Sequence, residues 1–76
     1  MTNEKIVSDI TRLLAVVGAE VARERQVAIT MREGVGYPEN LIRKHERRAG
    51  RLGVAFDRLR DARSALHGLF LPQGQP

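Results

Sequence analysis

Glu24, His45 and Arg48 are the side chains whose types and placement lend themselves to chemistry. A carboxylate, an imidazole and a guanidinium brought together in a groove would form a polar site able to bind a ligand or move a proton. The same three set into a helix seam would fix register or oligomeric state, the best-attested use of buried polar groups. The surrounding pattern favours the seam. At 100° per residue Glu24 sits at the centre of the apolar stripe of the first half of the chain. Arg48 sits within the stripe of the second half, with His45 one turn away. If the chain folds back on itself near residue 36, residue i lies opposite roughly residue 72 − i, and Glu24 faces Arg48. The expectation is a Glu24–Arg48 ion pair inside or beside the seam. Asp9 and Arg63 form a second such pair by the same reasoning.

Four other cations point to a different chemistry. Lys44, Arg47, Arg51 and Arg58 fall within a strip about 60° wide on a helical wheel, and from Lys44 to Arg58 the strip runs ~21 Å by helical rise. Such a strip suits phosphates or an acidic protein surface; the competing reading is an ordinary solvated helix face. Glu39, Glu46, Asp57 and Asp61 lie together on an adjacent face. Residues 1–33 hold five basic and five acidic side chains and residues 38–70 hold eight and four, so the net charge of +4 belongs to the second half. No aromatic residue lies on the strip, so it offers no stacking platform for single-stranded bases.

Other signatures of chemistry are missing from the sequence. Cysteine is absent, and His45 and His67 stand alone without carboxylates at ligand spacing, so no metal site is expected. Ser8 and Ser64 lack a histidine–carboxylate arrangement that would activate either. The "GVG" of residues 34–36 lacks the Gly-Lys-Ser/Thr ending of a phosphate loop. No catalytic residue and no cofactor is expected.

The elements that must position these groups are legible in "MREGVGYPENLI", residues 31–42. Gly34 suits a left-handed conformation ending a helix, Gly36 a second unusual conformation in the loop, and Pro38 the first turn of a new helix. Glu39 follows where a negative charge complements the helix dipole. Upstream, Ile6, Ile10, Leu13, Leu14, Val17, Val21, Ala28 and Met31 step by threes and fours, behind a cap at Thr2 or Asn3. Downstream, Leu41, Leu52, Phe56, Leu59, Leu66 and Phe70 do the same until Pro72. The expectation is all-α: one domain over 1–71, with helices over 3–33 and 38–70, a loop at 34–37 and a disordered tail at 72–76. Gly50 and Gly53 either break the second helix or allow close backbone approach at a crossing, with Gly18 near Gly53. Tyr37 at the turn is a loop contact, or a staple folded over Met31 and Leu41.

A hairpin of two helices pairs Val21 with Leu52, Val17 with Phe56, Leu14 with Leu59 and Val7 with Leu66. Ile6, Ile10, Leu13 and Leu14 nevertheless span about 100° of arc, more than a two-helix seam requires. With 76 residues and no disulfide, the chain is near the lower limit for a self-sufficient core. The face Ile6, Ile10, Leu13, Leu14, Val17, Val21, Leu52, Phe56, Leu59 and Leu66 is therefore expected to meet a partner, most simply a second copy in a dimeric four-helix bundle. That arrangement resembles the ROP-type dimeric hairpin in architecture, with no shared motif. The expected function is a non-enzymatic protein–protein interaction module: an adaptor, a chaperone-like partner or an inhibitor of a larger protein. Nucleic-acid binding through the basic strip is the alternative. No run of apolar residues reaches membrane-spanning length, no signal peptide is evident, and a cytoplasmic protein is expected.

Overall fold

The structure is a computed structural model that describes residues 3–70, with side chains described for 4–69. Helix α1 spans Asn3–Glu33 and α2 spans Glu39–Phe70. They pack antiparallel along their length as a hairpin. The N-terminal cap position Thr2 and the tail 72–76 lie outside the described residues. At 1.5 Å per residue each helix is about 46 Å long. Among the described residues no helix is long and apolar enough to cross a membrane.

The turn departs from the expected glycine roles. The positive φ belongs to Gly36, at 92°, and among the described residues to no other glycine. Gly34 instead donates its N–H to the Thr30 carbonyl at 3.0 Å, the spacing of a continuing helix. What Gly34 provides is room. A Cβ built there would sit 2.8 Å from Cε2 of Tyr37, whose ring folds back over it. Tyr37 shares a depression with Val27 and Met31 and is half exposed. The staple therefore engages the end of α1; Leu41 is not part of that depression. The Pro38 carbonyl then accepts from the N–H groups of Leu41 and Ile42, at 3.1 and 3.2 Å, and opens α2.

The seam is a seven-residue repeat on both helices. On α1 the buried series is Leu14, Val21 and Ala28, with Val17, Glu24 and Met31 three positions on. On α2 it is Ile42 and Ala49, continued by the partly covered Phe56, with His45, Leu52 and Leu59 three positions on. Ile42 and Ala49, not Leu41, anchor the loop end of α2; Leu41 is only half-buried because it falls one position before the repeat. Cross-helix contacts of Glu24 with Arg48, Gly18 with Phe56 and Thr11 with Arg63 keep the register within two positions of 72 − i.

This seam divides the expected partner face. Leu14 and Val21 are buried by α2 of the same chain and are not free to meet a partner. Ile6, Ile10, Val17, Leu52, Phe56, Leu59 and Leu66 are partly covered, whereas Leu13 stays 50% exposed.

Helix α2 runs unbroken through Gly50 and Gly53. Gly18 and Gly53 line one groove, but the group that approaches Gly18 is the Phe56 ring, 3.2 Å from a built Cβ. Close backbone approach does not explain Gly50, since a Cβ there meets nothing within 4 Å. Gly50→Ala is therefore expected to stabilise the hairpin by about 1 kcal/mol, because alanine adopts the helical conformation with less entropy lost and no clash. A thermal melt followed by circular dichroism should show a rise of about 4–8 °C.

Candidate functional site

Among the described residues Glu24 is the one polar residue that is buried, at 8% exposure. The seven-residue repeat puts it on the seam, and α2 brings two cationic or donor groups to it from one helical turn. The Nδ1–H of His45 donates to one carboxylate oxygen at 2.6 Å, and Nε of Arg48 pairs with the other at 3.1 Å. An ionised carboxylate only accepts, so this contact fixes the proton on Nδ1 of the imidazole. His45 is itself half-buried, while Arg48 lies over the layer from the solvent side. The expected Glu24–Arg48 pair is thus present in the geometry, with His45 as the closer partner.

The hydrogen bond from His45 holds the Glu24 carboxyl below its ordinary value of 4.5, helped by the charges of His45, Arg48 and Arg23 and opposed by burial. Both oxygens are occupied by protein groups. Among the described residues no three histidine, aspartate or glutamate side chains gather as a cation would require.

A second cross-helix cluster lies nearer the loop, and the sequence reading missed it. Arg32 reaches Glu39 at 3.1 Å and Glu46 at 2.8 Å. Its signal was available: Glu39 and Glu46 stand seven positions apart and flank the seam beside Arg32. The guanidinium of Arg32 pulls the Glu46 carboxyl below its ordinary value, and the two carboxylates push the Arg32 value up. The expected Asp9–Arg63 pair does not form. Lys5 takes Asp9 from one turn away at 3.4 Å, and Arg63 donates to the Thr11 hydroxyl at 3.5 Å. The local partner wins because no backbone rearrangement is needed to reach it.

Two depressed carboxyls set an acid limit on stability. A carboxyl whose folded value lies below its unfolded one stabilises the fold at pH above the unfolded value, and that stability is lost as pH falls through the folded value. The melting temperature should hold level from pH 7 to about 5 and decline below about 4.5. The decline should be shallower in Glu24→Gln. Melts between pH 3 and 7 check both.

The basic strip is intact and open. Lys44, Arg47, Arg51 and Arg58 are all exposed, and among the described residues none has a carboxylate within ion-pair distance. Lys44, Arg47 and Arg51 line a shallow groove together with Arg48 and Leu52. The acids of the same helix are occupied elsewhere: Glu39 and Glu46 by Arg32, and Asp57 and Asp61 by Arg60. Compared with models of protein families, with curated proteins and with solved structures, the chain matches none.

Proposed function

We propose that this hairpin is a small non-enzymatic protein–protein interaction module, an adaptor, chaperone-like partner or inhibitor of a larger protein, working in the cytoplasm. In the same reading two copies close on each other as a four-helix bundle when no other partner is present. The observation that carries it is an apolar surface beside an incompletely covered seam. Leu13 and Val16 are 50% and 58% exposed, and among the described residues no side chain is less than 2% exposed. A seam of two helices leaves such residues in water, and burying them stabilises by about 25 cal/mol per Å² of apolar surface. A helical surface laid over them completes the core, and a second copy is the simplest source. Light scattering tests the dimer: a mass of twice the chain at both low and high salt is expected. A single-chain mass at high micromolar concentration would remove that part of the proposal.

The unpaired cations of α2 favour a second reading, nucleic-acid binding along Lys44, Arg47, Arg51 and Arg58. It requires that log affinity fall steeply with log salt, by about 0.9 per phosphate contacted on a duplex. It also requires that Arg47→Glu with Arg51→Glu abolish binding. Duplex binding that survives the double reversal would exclude it.

A further inference from the structure

The two broad sides of the hairpin differ in character. One side is defined by Arg25 and Arg32, which meet Gly53, Glu39 and Glu46 across the seam, and it is polar and ion-paired. The opposite side carries the positions just before the buried repeats. There α1 presents Leu13 and Val27 with Glu20 between them, and α2 presents Leu41 and Ala55 with Arg48 between them; Glu20 is paired with Arg23 and Arg48 with Glu24. Each is exposed or only partly covered. Along the α2 edge of this floor, whose apolar patches flank the Glu20 and Arg48 positions, run Lys44, Arg51 and Arg58. Arg51 lies three positions after Arg48 and four before Ala55, which makes it their neighbour on the helix surface. The three cations repeat every seven residues, about 10.5 Å apart.

We propose that this side is a docking groove for one amphipathic helix of another protein. That helix has an apolar face and, along one edge, carboxylates spaced seven residues apart. The inference rests on the reading of the chain as an interaction module and names its partner. Charge decides between occupants. A second copy brings apolar residues but no matching carboxylates, since Asp9, Glu20, Glu24, Glu39, Glu46, Asp57 and Asp61 already have cationic partners. The acids without one, Glu4 and Glu33, stand near opposite ends of α1 and cannot follow a 10.5 Å repeat. A nucleic-acid duplex would meet the cations but leave Leu13 and Val16 in water. An acidic amphipathic helix satisfies floor and edge together.

The test uses the full chain and a fluorescein-labelled synthetic helical peptide. The peptide carries leucines on one face and glutamates every seventh residue along one edge. A second peptide has glutamine in place of each glutamate, a third has lysine, and a labelled DNA duplex serves as the rival. Anisotropy titrations at low salt are expected to show the glutamate peptide binding about tenfold more tightly than the glutamine peptide, because three exposed edge pairs, each weak, act together. Lys44→Glu/Arg51→Glu/Arg58→Glu should reverse the preference toward the lysine peptide. The milder Lys44→Gln/Arg51→Gln/Arg58→Gln variant should erase it, with helical content unchanged in both. Equal affinity for the glutamate and glutamine peptides overturns the proposal. So does a duplex that binds more tightly than either and is unaffected by Leu13→Glu. The mass measurement is independent. A monomeric chain that prefers the glutamate peptide removes the homodimer and supports the groove; a dimer without that preference does the opposite.

Discussion

Glu24→Ala should lower the melting temperature by about 10 °C or more, the largest effect expected of any single polar substitution in the chain. The carboxylate occupies a core layer of the seam, 8% exposed, and it satisfies two groups that α2 delivers there. Truncation leaves the Nδ1–H of His45 and the charge of Arg48 without an acceptor inside or beside the seam. Breaking a buried pair from one side is costly because the stranded partner keeps its desolvation penalty. Removing both sides is a different experiment. Glu24→Leu with His45→Leu converts the layer to a leucine pair continuous with Val17 and Leu52, and the melting temperature should recover to the parent value or exceed it. The polar layer's contribution to register would then be lost, because a uniform apolar seam tolerates slippage by a heptad. Melts measure the first effect. Light scattering measures the second, through a broadened or mixed mass distribution in the double variant.

The adjacent leucines 13 and 14 should respond in opposite ways. Leu14 is 5% exposed and Leu13 50%, although one peptide bond separates them. Leu14→Ala leaves a gap in the seam and should cost roughly 2–5 kcal/mol. A chain of this length has on the order of 4–11 kcal/mol in total, so Leu14→Ala should sit close to unfolding at 37 °C. Leu13→Glu should change the stability of the hairpin itself by no more than about 0.5 kcal/mol, as a surface substitution does. Its effect falls on association: a charge placed in the centre of an apolar contact should dissociate the proposed dimer at micromolar concentration. Urea unfolding separates the two residues on stability. Sedimentation or light scattering separates them on mass. Equal stability losses at both positions would mean that Leu13 shares the seam.

Most of the hairpin could be read from the residues because its strongest signals are local. Gly36 and Pro38 mark the reversal, and the steps of three and four mark both helices. The register followed from the loop length, and it brought Glu24 to Arg48. The misreadings arose where several local rules competed. Gly34 looked like the residue with positive φ until the Tyr37 ring supplied another reason for a glycine. Leu41 looked like core because leucine outranks alanine in hydrophobicity, yet the seven-residue phase selects Ile42 and Ala49. Asp9 lay within reach of Arg63 by register and of Lys5 by helical spacing, and the nearer partner prevailed. The Arg32 cluster escapes a wheel-based reading, which places Glu39 and Glu46 on one face of α2 without setting them against the facing helix. What composition and spacing could not carry was the occupancy of charges. Side-chain packing across and along the helices spends the acids of α2 on Arg32 and Arg60 and leaves the strip from Lys44 to Arg58 open.

The burial along the seam is graded, and this shapes how the molecule opens. Between Leu14 and the turn lie the buried apolar residues Leu14, Val21, Ala28, Ile42 and Ala49, with Arg32 fastening the two helices beside the loop. Toward the free ends Ile6, Val7 and Ile10 are only half covered, and so are Leu59 and Leu66. Contacts near the loop join residues a few positions apart, so they close first with little loop entropy to overcome, and folding should run as a rapid zipper from the turn outward. The reverse process begins at the other end. Backbone amides of residues 5–10 and 60–68 should exchange their hydrogens through small fraying events, while those around Val21 and Ala49 should exchange only when the whole hairpin opens. A pair of tweezers hinged at Gly36 is the mechanical equivalent: the tips part at little cost, and Leu13 sits where the parting begins.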